Sequence, residues 1–277
     1  MGFRINTNVP SITGQRNLNI QRDAQDRSMA KLSSGERITR AADDAAGLAI
    51  SEKLKAEIRS NRQAARNTND GISLIQTAEG GLNEISNILV RLRELSIQSA
   101  SDTVGPSERA FTDLEVQHLK QEMTRISEVT KFNGIYLLNG QGENLEFQVG
   151  TGSSAEKDRM SYAVSQSDSR TSTLGLEEAS VATKESAQMN LDKIDAAIMK
   201  VSGNRASLGA LQNRLTSTVN NLNITDENLS AANSRIRDAD IASESAELAK
   251  RNILTNSGVS VLAQANNGGA MALKLLG

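Results

Sequence analysis

Apolar side chains recur in the C-terminal half of the chain at strict seven-residue spacing: Ile194, Val201, Leu208, Leu215, Leu222, Leu229 and Ile236. A sustained heptad places them on one stripe of a helix packed lengthwise against partners. The companion seam position is mixed. Leu191, Ile198 and Val219 are apolar there, whereas Arg205, Gln212, Asp226 and Asn233 are polar, which suits a bundle with several neighbours better than a simple dimer. No proline interrupts the stretch, so it predicts a helix of about 50 residues, ~75 Å long at 1.5 Å per residue. A compact body of 277 residues would be only about 50 Å across. The pattern therefore predicts a mainly α fold, an elongated antiparallel helical coiled-coil rod.

The N-terminal half repeats this logic. Ile75, Ala78, Leu82, Ile85, Leu89 and Leu92 alternate spacings of three and four, and Ile50, Leu54 and Ile58 form an apolar stripe upstream. Gly71, Gly80 and Gly81 are weak points, each costing up to about 1 kcal/mol against alanine in a helix. Gly105-Pro106 ends this helix, and a shorter one follows through Leu119, Met123, Ile126 and Val129. Both are expected to fold against the long C-terminal helix.

Between the arms, from about 133 to 176, the texture changes. Asn133-Gly134 and Asn139-Gly140 are turn signals. Leu145, Phe147 and Val149, then Met160, Tyr162 and Val164, alternate with polar residues around a loop of glycine and serine. This reads as a β-hairpin forming a small cap on the rod. Val9 to Leu32 reads as a weakly amphipathic helix, and the C-terminal arm carries Leu248, Leu254, Leu262, Leu273, Leu275 and Leu276. Neither arm can bury its apolar residues alone, and an antiparallel hairpin of long helices brings them together. The expected organisation is a terminal domain of residues 1–44 with 235–277, and a helical rod domain of 45–234. The terminal arms are expected to order on packing against neighbouring copies.

Composition narrows the function. Aromatic residues are 2% of the chain, with no Trp, which fits a seam of aliphatic side chains better than a globular core. Cysteine is absent and histidine occurs once, which removes thiol catalysis, disulfides and cysteine- or multi-histidine metal sites. The 31 basic and 33 acidic residues are interleaved without a basic stripe, so no nucleic-acid partner is expected. No segment reaches the roughly 18 apolar residues of a membrane span. The polar first twenty residues predict no cleavable secretory signal, so leaving the cell would require a dedicated export route.

The chemical motifs are weak. Gly150-Thr-Gly152-Ser-Ser-Ala155 has the spacing of a dinucleotide loop, but no βαβ unit surrounds it, and it reads as a hairpin loop. His118 lies on a helix without a pocket, and the adjacent Asp43 and Asp44 suit helix N-terminal polarity. Asn223-Ile-Thr225 and Asn228-Leu-Ser230 match the N-glycosylation pattern but fall on the heptad helix. No catalytic constellation and no cofactor are expected.

Several longer segments are specific. They include Lys31-Leu-Ser-Ser-Gly35-Glu-Arg-Ile38, Ala41-Ala-Asp-Asp-Ala-Ala-Gly47-Leu-Ala-Ile50 and Arg66-Asn-Thr-Asn-Asp-Gly71-Ile-Ser-Leu-Ile75. Leu92-Arg-Glu-Leu95-Ser-Ile-Gln-Ser-Ala100, Ser234-Arg-Ile-Arg-Asp-Ala-Asp240 and Ser260-Val-Leu-Ala-Gln-Ala-Asn266 join them. Together they make the chain closely resemble bacterial flagellin, in a short form without variable outer domains. The resemblance implies a secreted structural subunit that polymerises into the extracellular flagellar filament for motility. It implies type III export in an unfolded state and assembly at the distal tip through the terminal helices. Implied partners are copies of itself, a flagellar export chaperone on the C-terminal arm, and filament cap and hook-junction proteins. It further implies a Toll-like receptor 5 epitope at Arg91, Leu95, Gln98 and Glu115, with Val90 departing from the usual Gln. A hook-filament junction protein and a soluble helical scaffold are the rival readings.

Overall fold

Helices dominate the computed structural model, which describes residues 7–274. In chain order the elements are α1 (Val9–Ser34), α2 (Ala45–Ser99), α3 (Pro106–Val129), β1 (Lys131–Phe132), β2 (Ile135–Tyr136), β3 (Leu145–Gln148), α4 (Ala155–Asp158), β4 (Arg159–Tyr162), a 3-10 turn (Val164–Ser167), α5 (Lys184–Arg237) and α6 (Ile241–Lys274). The strands form two separate antiparallel hairpins, β1 with β2 and β3 with β4. Two compact units divide the chain: Met1–Ile58 with Glu227–Gly277, and Arg59–Asp226. The divisions fall inside α2 and α5 rather than near their outer ends, at 44 and 235, where the sequence pattern places them.

In the unit Arg59–Asp226 the alternating stripe of α2 forms the centre of the core. Ile75, Ala78, Leu82, Ile85, Leu89, Leu92 and Leu95 are all at most 2% exposed. They join Val116 and Met123 of α3 and Ile194, Val201, Leu208 and Leu215 of α5 in one cluster. The same spacing of three and four runs on below Ile75 through Gly71, Thr68, Ala64 and Asn61, all buried. These residues are small or polar, so hydrophobic periodicity alone misses them. On α5 the fully buried seam ends at Leu215, and Leu222 is only half-buried.

The middle region lies on the flank of α2, and two glycines make room for it. A Cβ on Gly71 would stand 3.2 Å from the Phe147 ring, and one on Gly81 would stand 2.7 Å from Leu138 Cδ1 and 2.8 Å from Thr130 Oγ1. Gly71 and Gly81, two of the weak points of the helix, are therefore docking points. Asn133 (φ 48°) and Gly134 (φ 82°) make the left-handed two-residue turn between β1 and β2. The second hairpin pairs Leu145 with Tyr162 and Gln148 with Arg159. Val164, expected to extend the alternating run, lies instead in the 3-10 turn and is fully buried.

A strap leads from this region into α5. Lys120, 9% exposed, donates through Nζ to the carbonyls of Glu177 (2.7 Å) and Ala179 (2.9 Å) and to Gln117 Oε1 (3.1 Å). Asp113 accepts from Ser180 Oγ (2.8 Å) and Val181 N (2.7 Å), and Asn190 Nδ2 donates to Ser180 O (2.6 Å). Among these polar groups, burial pushes the Lys120 ammonium below its ordinary pKa.

In the other unit, the ends of four helices meet. Gly35, in a left-handed conformation (φ 72°), closes α1 by donating to Lys31 O. Glu36 and Asp238 form an antiparallel bridge, and Ala239 N donates to Gly35 O at 2.9 Å. Arg237 pairs with both Glu36 and Glu52. Asp44 Oδ1 accepts from Gly47 N (2.8 Å) at the start of α2. Asp43 accepts from the amides of Thr39 and Arg40 and from the Thr39 hydroxyl, and these bonds, Arg40 first, hold its carboxyl below the usual range. Both aspartates thus serve local backbone geometry.

Candidate assembly surface

The pairing of α1 with α6 inverts the usual arrangement of polar and apolar residues. Asn8 caps α1, its side chain accepting from Ser11 N at 3.1 Å, and Pro10 sits in the first turn. The buried residues of α1 are Ser11, Leu18 and Ser28. Much of the contact with α6 is polar. Asn8 Nδ2 donates to Ala265 O (3.0 Å), Ser11 Oγ to Asn266 Oδ1 (2.8 Å), Gln25 Nε2 to Asn252 Oδ1 (2.7 Å) and Arg251 to Gln21 Oε1 (2.9 Å).

Many of the large apolar residues of both helices are instead exposed. On α1, Val9, Ile12, Ile20 and Met29 are each more than half exposed; on α6, Ile241, Ile253, Leu254, Val259 and Val261 are 40–66% exposed. Covering the remainder of these nine side chains would contribute about 1 kcal/mol each, on the order of 10 kcal/mol in all. That is as large as the whole stability of an ordinary domain. Such a surface marks a site for other protein surfaces.

The C-terminal leucines singled out from the sequence divide accordingly. Leu254 is exposed, Leu248 and Leu262 are half-buried, and Leu275 and Leu276 lie outside the described residues, as does the side chain of Leu273. Leu229 and Ile236, the last heptad positions, are half-buried.

A second surface lies on α2 and α3. Arg91 donates to Glu115 Oε1 (2.9 Å) and Glu94 Oε2 (3.0 Å), and these partners, Glu115 first, raise its pKa further. Gln98 is exposed beside them, with Val90, Ile97, Phe111 and Leu114, which are 48–73% exposed. Leu95 does not belong to this surface. It is 2% exposed and part of the core, flanking the alternating stripe of α2, which itself runs on from Leu92 through the buried Ser96 and Ser99.

The weak chemical motifs resolve into structure. His118 is exposed on α3, in an open hollow with Glu115, Leu119, Gln121, Glu122 and Arg125, and no nucleophile accompanies it. One turn of helix, α4, does follow the Gly150–Ala155 loop, where the sequence pattern predicts only strand. The Asp158 carboxylate accepts from Gly152 N (3.1 Å) and Ser154 N (3.0 Å), so the loop amides that would cradle a phosphate already hold an anion. Among the described residues, no three His, Cys, Asp or Glu side chains group to hold a metal, and no helix is long and apolar enough to cross a membrane.

Comparison with known proteins gives a consistent result. Residues 5–143 match the family model of the bacterial flagellin N-terminal helical region, and residues 191–276 that of the bacterial flagellin C-terminal helical region. The chain is 43% identical over 272 residues to a flagellin of Halalkalibacterium halodurans, covering 98% of this chain and 99% of that one. It is 39% identical to the flagellar filament 30.7 kDa core protein of Treponema maltophilum, again over 98% and 99% of the two chains. Among solved structures, the crystal structure of Bacillus cereus flagellin is 32% identical with a TM-score of 0.50, over 57% of this chain and 88% of that one.

Proposed function

We infer the working of this chain from a single premise: it belongs to the bacterial flagellin family, in a form without a large variable domain. It is a structural subunit of the flagellar filament, not an enzyme, and it associates with copies of itself in that extracellular assembly. The observation that carries the mechanism is the inverted polarity of the α1–α6 pair. Its outward apolar residues are completed by the same pair in neighbouring subunits, with residues 1–44 and 235–277 forming the inner coiled-coil layer and 45–234 the outer one.

The exposed Ile253, Leu254, Val259 and Val261 also need cover before assembly, which supports an export chaperone on the C-terminal arm. On this reading the chain travels unfolded through a type III route. It is added at the distal tip beneath a cap, and hook-junction proteins meet the first subunits. The face of Arg91, Gln98 and Glu115 supports a Toll-like receptor 5 epitope on the free subunit, with Leu95 acting from beneath as packing.

Electron microscopy and sedimentation of concentrated protein test the proposal. Uniform tubes that lengthen with concentration are expected. A discrete dimer that never grows would sink it, and short closed collars would point to a junction protein.

A further inference from the structure

Gly14 and Gly258 lie inside the helices of the α1–α6 pair, although glycine is the poorest helix-interior residue after proline. Each lies under a leucine of the other helix. A methyl group on Gly14 would stand 3.3 Å from Leu262 Cδ1, and one on Gly258 would stand 3.2 Å from Leu18 Cδ1. Because the helices run antiparallel, Gly14 and Leu18 face Leu262 and Gly258 reciprocally. Each helix supplies one notch and one knob, four residues apart.

We propose that this reciprocal pair, Gly14–Leu262 and Leu18–Gly258, fixes the register of α1 against α6 and is the determinant that makes the terminal helices competent to assemble. The proposal rests on the assembly role described above. The middle of the seam is otherwise a weaker source of register, because the hydrogen bonds of Gln25 with Asn252 and Arg251 with Gln21 run between flexible side chains. Long polar side chains exchange partners at small cost. A leucine over a glycine has one position.

Slipping α6 by one heptad would set Leu18 opposite Arg251 or Ala265, and Leu262 opposite Thr7 or Gln21, so both notches lose their knobs. The outward residues Ile12 and Ile20 would then keep their orientation but stand about 10 Å further along α6. With them would shift the alignment to Ile253, Val259 and Val261, which together form the face offered to other subunits. Register within one chain is thus a condition for matching between chains.

The absence of cysteine makes the register readable by thiol crosslinking. The paired reporter is Ser11→Cys with Asn266→Cys, at positions whose side chains hydrogen-bond at 2.8 Å. Ser11→Cys with Val259→Cys reports a one-heptad slip. Both are treated with a short bismaleimide in the full chain, before and after polymerisation.

Filling the notch with Gly14→Leu is expected to lower paired crosslinking roughly tenfold, the factor that ~1.4 kcal/mol of overpacking gives, and to block tube growth. Removing the knob in the same chain, Gly14→Leu with Leu262→Ala, is expected to restore both. Unchanged paired crosslinking in Gly14→Leu would overturn the proposal. So would failure of Leu262→Ala to restore it, since the added bulk would then be acting elsewhere. Tube formation by the reporter chain without Gly14→Leu is scored separately, so loss of assembly as such is distinguishable from loss of register.

Discussion

Gly80 and Gly81 are neighbours on the same helix, and alanine at each should act in opposite directions. At Gly80 an added methyl meets nothing within 4 Å, so Gly80→Ala should gain the helix-propensity difference, about 0.5–1 kcal/mol. At Gly81 the same methyl lands 2.7 Å from Leu138 Cδ1 and 2.8 Å from Thr130 Oγ1. Neither group can withdraw cheaply. Leu138 is fully buried, and Thr130 Oγ1 is committed to Ile126 O at 2.7 Å. Overpacking costs about 1–3 kcal/mol, which exceeds the propensity gain, so Gly81→Ala should be a net loss of about 1 kcal/mol. Thermal unfolding followed by helical circular dichroism should then separate the variants by several degrees, at about 2–4 °C per kcal/mol for a chain of this size. If both substitutions stabilised, the middle region would not be seated on α2 at Gly81 and the docking argument would fail.

Two other outcomes follow from buried polar groups. Lys120→Met leaves the Glu177 carbonyl without its 2.7 Å donor, at a cost of about 1–3 kcal/mol. Hydrogen exchange over residues 177–182 should accelerate, and unchanged protection there would count against the strap. In acid, Asp168 is the group to follow. Burial alone would raise its pKa, but hydrogen bonds from Arg170 and Thr173 outweigh this and hold it below the ordinary value. A depressed folded-state pKa means that its contribution is present above the unfolded value near pH 4 and is lost as pH falls through the folded value. Unfolding temperature should therefore decline below about pH 4, with a shallower decline in Asp168→Asn; equal slopes would remove Asp168 from that account.

Large residues at helical spacing were legible in the sequence. The α2 stripe from Ile75 to Leu92 and the α5 stripe from Ile194 to Leu215 could be read because leucine and isoleucine mark one face of a helix without ambiguity. The lower α2 seam, through Asn61, Ala64, Thr68 and Gly71, could not, since the residues buried there are small or polar and a hydrophobic pattern does not mark them. The same limitation hid Gly14 and Gly258. A glycine reads as a weakness until the side chain above it is known. Leu95, carried over from a family motif, lies in the core one position off the alternating stripe, which passes through Ser96, so spacing alone does not mark it. The Gly150–Ala155 segment was legible as a hairpin loop, but the return of Asp158 into that loop depends on the fold and carries no sequence signal.

The outward apolar face of α1 and α6 also determines how temperature acts on this protein. Burial of such surface is driven near room temperature mainly by water entropy and carries a negative heat-capacity change. Joining subunits through Ile12, Ile20, Ile253 and Val261 should therefore absorb little heat at ambient temperature and become more exothermic on warming. It should weaken on cooling. A structure held by these contacts is loosened by cold as well as by heat, and its firmest range lies between the two.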